Sequence, residues 1–367
     1  MRKLLFEWKK INRLKVFPIF LQLTFVFVFC LFFYNHMSQD QIKVKKNEHF
    51  TELRKDVSQQ LLRVEEELKK RKNMGLASQM HFGTELSAKL QQLINIIQGS
   101  DWQSELQTEI EVYETAMIYI GHDDGAYFGV SKIDMERIIK LNEELLKRNL
   151  PKEDFELSTQ TSIFMKKVVS LVMNPVGFVM LLFVLGLIVT KEFDDNSIRQ
   201  VQTLPMTRIE YMLIKFIAIV SGGVLWLALI FGSSYVLGEL LGRAEGNIFQ
   251  YPIYTSQDTF ISSGKYLLEA VLYSFSFMAF SVGLLQLLAY AFRNTIVTFS
   301  ALLFIMAGGW LLTSYGFQNR VNPFTYQMVD QAILQTPRFY PAGLAVLFVA
   351  LLIMLAATMM VNRKRGM

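Results

Sequence analysis

The chain is short of the residues that build most chemical sites: one cysteine, four histidines and eight prolines in 367 residues. A lone thiol, Cys30, can neither close an intramolecular disulfide nor supply a thiolate metal set, and its place in an apolar run predicts a packing role. His36, His49 and His81 stand apart in the sequence and read as solvated. The turn Gly121-His122-Asp123-Asp124-Gly125 has the look of a metal site, yet one imidazole beside two adjacent carboxylates suits a tight turn and does not converge on an ion. A phosphate-binding Gly-rich loop ending in Gly-Lys-Ser/Thr is missing; Ser263-Gly264-Lys265-Tyr266 lacks both the upstream glycine and the hydroxyl. No nucleophile elbow, no His-Glu-x-x-His and no pair of carboxylates inside an apolar run is present. No catalytic residue, metal or cofactor is expected in this chain, and it is not expected to be an enzyme.

What is abundant is apolar surface. The chain is 52% hydrophobic, with 30 Phe and 18 Met, and only 19% charged, which points to lipid as the solvent for much of it. Runs of about 20 apolar residues, enough to cross a hydrocarbon core of roughly 30 Å, cover 16–34, 168–190, 212–238, 266–292, 296–316 and 342–361. The expected class is therefore all-α, an integral membrane protein with six spans. The first run is too long for a secretory signal and lacks a small-residue cleavage site. Asn174-Pro175 should kink the second span. Gly222-Gly223 and Gly308-Gly309 suit close helix packing, while Gln22 and Gln286 either line a path or join helices by hydrogen bonds.

The net charge of +5 hides a division. Residues 35–165 hold 17 Lys and Arg against 22 Asp and Glu, leaving 20 and 10 for the remainder: a mildly acidic polar domain interrupts a basic membrane body, so the basic charge suits anionic lipid and needs no nucleic acid. Basic residues crowd residues 1–15, the segment 191–215 and the tail 362–367, whereas the short loops 239–265 and 317–341 hold few. The positive-inside rule then puts both termini in the cytoplasm and 35–165 outside, in a cell membrane read as bacterial. That domain carries helical periodicity. Leu53, Val57, Leu61, Val64 and Leu68 share one face; Leu86, Leu90, Leu93, Ile94 and Ile97 form a second helix that Gly99 ends. Ser100 with Gln103 predicts a capping box for a third helix through Leu106, Ile110, Tyr113 and Met117. Ser131 and Asp134 open a fourth, which stops before Pro151.

Two polar segments beside the spans carry the functional reading. In 191–211, Asp195, Asn196 or Ser197 can cap a short helix, Ile198, Val201 and Leu204 give it an apolar edge, and Pro205 ends it. Thr207 and Glu210 then cap a new helix that enters the third span. In 1–15, Leu4, Leu5, Trp8 and Ile11 share one face, with Lys3, Glu7, Lys10 and Arg13 elsewhere, as in a helix lying in the headgroup plane.

The order Glu192, Asn196-Ser197, Leu204-Pro205, Arg208 and Lys215, six spans and an amphipathic N-terminal helix resembles the permeases of the ABC type-two (type V exporter) family. Asn196-Ser197 stands where that family usually has Gly-Thr, and the segment around Asn322-Pro323-Phe324 falls where its members carry short re-entrant helices. The resemblance covers the membrane body and not 35–165. It implies a coupling helix that docks a separate ATPase through Glu192, Asp195, Ser197, Ile198, Val201, Leu204, Pro205 and Arg208, and a connector helix carrying Leu4, Trp8 and Ile11. It also implies a second permease copy or paralogue, and ATP and magnesium bound on the partner ATPase. Export of an apolar or amphipathic substrate, a peptide or drug, would follow. A membrane receptor with a helical outer domain is the competing reading; it leaves four further spans unexplained. A secondary transporter lacks the intramembrane carboxylates and inverted repeat expected of it.

Overall fold

The computed structural model describes residues 2–70, 74–99, 101–121, 126–195, 207–242, 248–256, 259–317, 319–334 and 340–364. Six of its helices are long and apolar enough to cross a membrane: α2 (Val16–Met37), α8 (Pro175–Asp194), α9 (Arg208–Leu241), α10 (Ser263–Phe292), α11 (Thr295–Ser314) and α13 (Ala342–Lys364). The chain thus has the build of a multi-pass membrane protein. The most enclosed span is α10, against which α8, α9, α11 and α13 pack, while α2 lies on α9; α2, α11 and α13 turn most of their apolar side chains outward, as Phe304 and Ile353 do. Outward apolar faces are what hydrocarbon solvates. At 34 residues α9 is roughly 50 Å long and overruns a bilayer core.

The second span departs from expectation. Asn174 does not kink one helix but separates two, α7 (Thr161–Val172) and α8. Its side chain accepts from the N–H groups of Val176 and Gly177, and Pro175 takes the first helical position, where its missing N–H costs nothing. Asn-Pro here starts a helix.

Between α2 and α7 lie the amphipathic helices α3 (Gln39–Lys70), α4 (Met74–Ile97), α5 (Trp102–Gly121) and α6 (Lys132–Arg148). They enclose a core of their own, including Phe50, Val57, Leu90, Leu93, Val112, Tyr119 and Met135. Ser131 caps α6 by accepting from Asp134 N, as its sequence implies. The expected Ser100 cap of α5 lies outside the described residues; Asp101 accepts from Ser104 N instead. The His122-Asp123-Asp124 turn is likewise outside them.

This polar unit is fastened to the membrane body by a small shared core of Leu106, Leu145, Leu150, Ile163 and Tyr251. Arg148 also donates to the Gln250 carbonyl at 2.6 Å. Tyr251 precedes a short hairpin, β1 (Pro252–Tyr254) and β2 (Phe260–Ser262), antiparallel with Ile253 opposite Ile261. On the same side, a short 3-10 turn (Pro323–Tyr326) and α12 (Val329–Leu334) cover the ends of α10 and α11. Phe324 fills the notch at Gly309, where a Cβ would stand 2.6 Å from its ring. Its neighbour Gly308 meets nothing within 4 Å, so the packing role expected for that glycine fails, whereas Gly222 and Gly223 do admit Leu185 and Met278.

Candidate functional site

At the opposite side, α1 (Arg2–Arg13) turns into α2 through Lys15, whose φ of 57° is the left-handed region that a tight corner requires. Helix α1 packs on α9. Ile11 is fully buried, and Trp8 donates its indole N–H to Ser221 Oγ at 2.9 Å. Leu4 is half-buried, while Leu5 and Phe6 remain exposed, as an interfacial helix would hold them.

The unexpected member is Glu7. Helical-wheel logic puts it on the polar face, yet its side chain is only 4% exposed. It joins a cluster drawn from three helices. Lys10 Nζ lies 2.9 Å from Glu7 Oε1 and 2.8 Å from Glu192 Oε1. Lys215, 1% exposed, lies 3.4 Å from Glu7 Oε2 and bridges closely to Glu192. Tyr211 donates its hydroxyl to Glu192, and Lys215 donates to that hydroxyl at 3.0 Å. Two carboxylates thus meet two ammoniums, and the cluster is neutral, which is the condition under which charge can be buried at all. Glu7 Oε2 holds its place by charge alone, without a hydrogen bond. Burial opposes the charge on Lys10, but Glu192 and Glu7 outweigh it and hold its ammonium above the ordinary lysine range.

The cluster brackets the undescribed segment 196–206: Glu192 ends α8 just before it, and Tyr211 and Lys215 open α9 just after it. Thr207 caps α9 by accepting from Glu210 N, as expected. Further contacts knit this end of the bundle. Asp194 Oδ1 accepts from Thr295 N at the start of α11, and Phe193 packs edge-on against Tyr290 of α10 at 5.2 Å. Gln286, fully buried, donates to the Met212 carbonyl at 2.9 Å, so it joins helices and lines no open path.

Of the remaining expected site residues, Ser197, Ile198, Val201, Leu204 and Pro205 lie outside the described residues. Asp195 caps the C-terminus of α8 and is exposed, as is Arg208. Glu192 is not a free docking side chain; its carboxylate is engaged inside the protein. Gln22 and Cys30 both lie on the outer surface of α2, so the packing role expected of Cys30 does not hold within this chain. Contrary to expectation, the apolar helices do hold carboxylates: Glu192 and the largely buried Glu269 fall within them.

Comparison of the chain with protein-family models, curated proteins and solved structures returns no match.

Proposed function

We propose that the chain is the membrane-spanning permease subunit of an ATP-driven exporter, worked by a separate cytosolic ATPase that pushes on 196–206. The observation that carries this reading is the buried ionic clasp. It ties both flanks of that segment to α1 through Glu192, Lys215 and Glu7, so a force on the segment moves three helices as one body. The motif order of the type V exporter family supports it. In this reading α1 and 196–206 face the cytoplasm of a bacterial cell, and α3–α6 lie outside. A second permease copy or paralogue completes the pathway, with ATP and magnesium on the ATPase. Gln22 fits such an assembly, because an amide turned toward hydrocarbon lacks a partner and a neighbouring subunit supplies one. The cargo is apolar or amphipathic, a peptide or drug.

The test is co-expression with a candidate ATPase. Wild-type chain should retain the ATPase through purification and drive ATP-dependent transport in vesicles, and Leu204→Asp should lose the ATPase while the chain keeps its melting temperature. A Leu204→Asp chain that still holds the ATPase refutes the docking site. A secondary transporter has some support from Glu192 and Glu269, which are largely buried in spans. Transport driven by a proton gradient without ATP would establish that reading instead.

A further inference from the structure

A groove of about 560 Å³ opens sideways from the membrane body between α2 and α8, beneath the break at Asn174. Its rim is Leu23 and Phe27 on one side and Val176 and Met180 on the other, all exposed on membrane-spanning helices; its floor is Trp226. The size suits a drug-sized apolar ligand. The polar groups in it are already spent: Thr24 Oγ1 accepts from the Trp226 indole at 3.2 Å and donates to the Phe20 carbonyl, and Asn174 Oδ1 caps α8. Nothing inside is left to recognise a polar ligand, and the mouth faces the hydrocarbon. One turn before Leu171 of the groove wall stands Lys167, partly exposed on the same helix. Its ammonium donates to Asn35 Oδ1 at 3.0 Å and to the Glu156 carbonyl, which leaves one of its three N–H groups. Burial lowers its pKa, while Glu156 and Asp154 favour its charged form.

We propose that this groove is a phospholipid site, with one acyl chain lying over Trp226 and the phosphate received by the remaining N–H of Lys167. An apolar slot that opens to hydrocarbon, with a cation one helical turn beyond its wall, is complementary to that amphiphile. The site does not rest on the exporter reading, since it needs neither an ATPase nor transport.

The chain carries four tryptophans, so Trp8→Phe, Trp102→Phe and Trp310→Phe leave Trp226 as the reporter. The full chain in phosphatidylcholine vesicles is titrated with phosphatidylglycerol or diacylglycerol, each brominated on its chains, and quenching is read. The phosphate-bearing lipid should quench Trp226 at about fivefold lower mole fraction than diacylglycerol. Lys167→Gln should erase that difference, and Val176→Phe, which narrows the mouth, should weaken quenching by both. Equal quenching by the two lipids in the parent chain would mean ordinary bilayer contact and overturn the proposal. No quenching by either would mean that protein, such as a second copy, covers the groove, and would overturn it equally.

Discussion

Among the described residues, the polar unit and the membrane body each hold a neutral four-charge cluster, and the two differ in how wet they are. In the polar unit, Glu109 is 3% exposed, but the groups around it, Lys46, Glu105 and Lys152, each reach water. Lys152 approaches Glu109 to 2.8 Å from the linker that follows α6, and Lys46 adds a second ammonium from α3 at 3.8 Å. In the membrane body, Glu7 and Lys215 are enclosed, Glu192 is largely so, and Lys10 has the most contact with water. The same charge count therefore does different work. A carboxylate beside water can recruit solvent when a partner leaves, so the cluster in the polar unit yields gradually. A carboxylate enclosed by helices has no substitute partner, so the clasp is either closed or pulled apart with its helices. All-or-none behaviour suits a lever better than a hinge pin.

Breaking the clasp should give the largest effect. Lys215→Met leaves two enclosed carboxylates facing one ammonium, and the loss of a buried partner costs about 3–5 kcal/mol. The expected result is a large fall in melting temperature in detergent. Adding Glu192→Met should restore most of it, because an apolar replacement of a buried pair is near neutral; no recovery would show that the cluster is not a closed unit. In the polar unit, Lys152→Met should cost less, about 2 kcal/mol, since Lys46 and water remain to Glu109.

The polar cluster should also respond to acid. Burial works to raise the Glu109 carboxyl, but Lys152 and Lys46 outweigh it and hold it below the ordinary glutamate range. A carboxyl depressed in the folded state stabilises above its unfolded value, near 4.3, and the contribution is lost as pH falls through the folded value. Amide exchange of α5 should thus stay slow to about pH 4 and accelerate below it. With Glu109→Gln that acid dependence should shrink.

Much of this fold is written locally, and what was illegible was illegible for physical reasons. The six spans follow from length and hydropathy, because a bilayer asks for about 20 apolar residues and little else. Ser131 and Thr207 announce their helices because a cap is decided within four residues. Asn174 was misread because a proline inside an apolar run signals a kink or a new helix alike; the Asn side chain before it decides in favour of the new helix. The outward side of Cys30 and the open surroundings of Gly308 are not legible in the sequence, since a helix that is apolar all round has no face to read. Glu7 failed for the opposite reason. Amphipathic logic sends charge to water, and the partner that draws it inward, Lys215, lies far along the chain in α9.

The weaker links between α1 and α9 separate enclosure from mere contact. Trp8→Phe keeps the ring but removes the indole N–H donated to Ser221, and should cost about 1 kcal/mol, read as a shift of a few degrees in melting temperature. Lys3 and Glu210 join the same two helices at 2.6 Å, but with side chains 48% and 43% exposed. An ion pair in water is screened and pays side-chain entropy, so Lys3→Ala should leave the melting temperature essentially unchanged. That near-silence matters to the comparison. If Lys3→Ala and Lys215→Met lowered the melting temperature equally, burial would not be what makes the clasp strong, and its rigidity would have to come from helix packing alone.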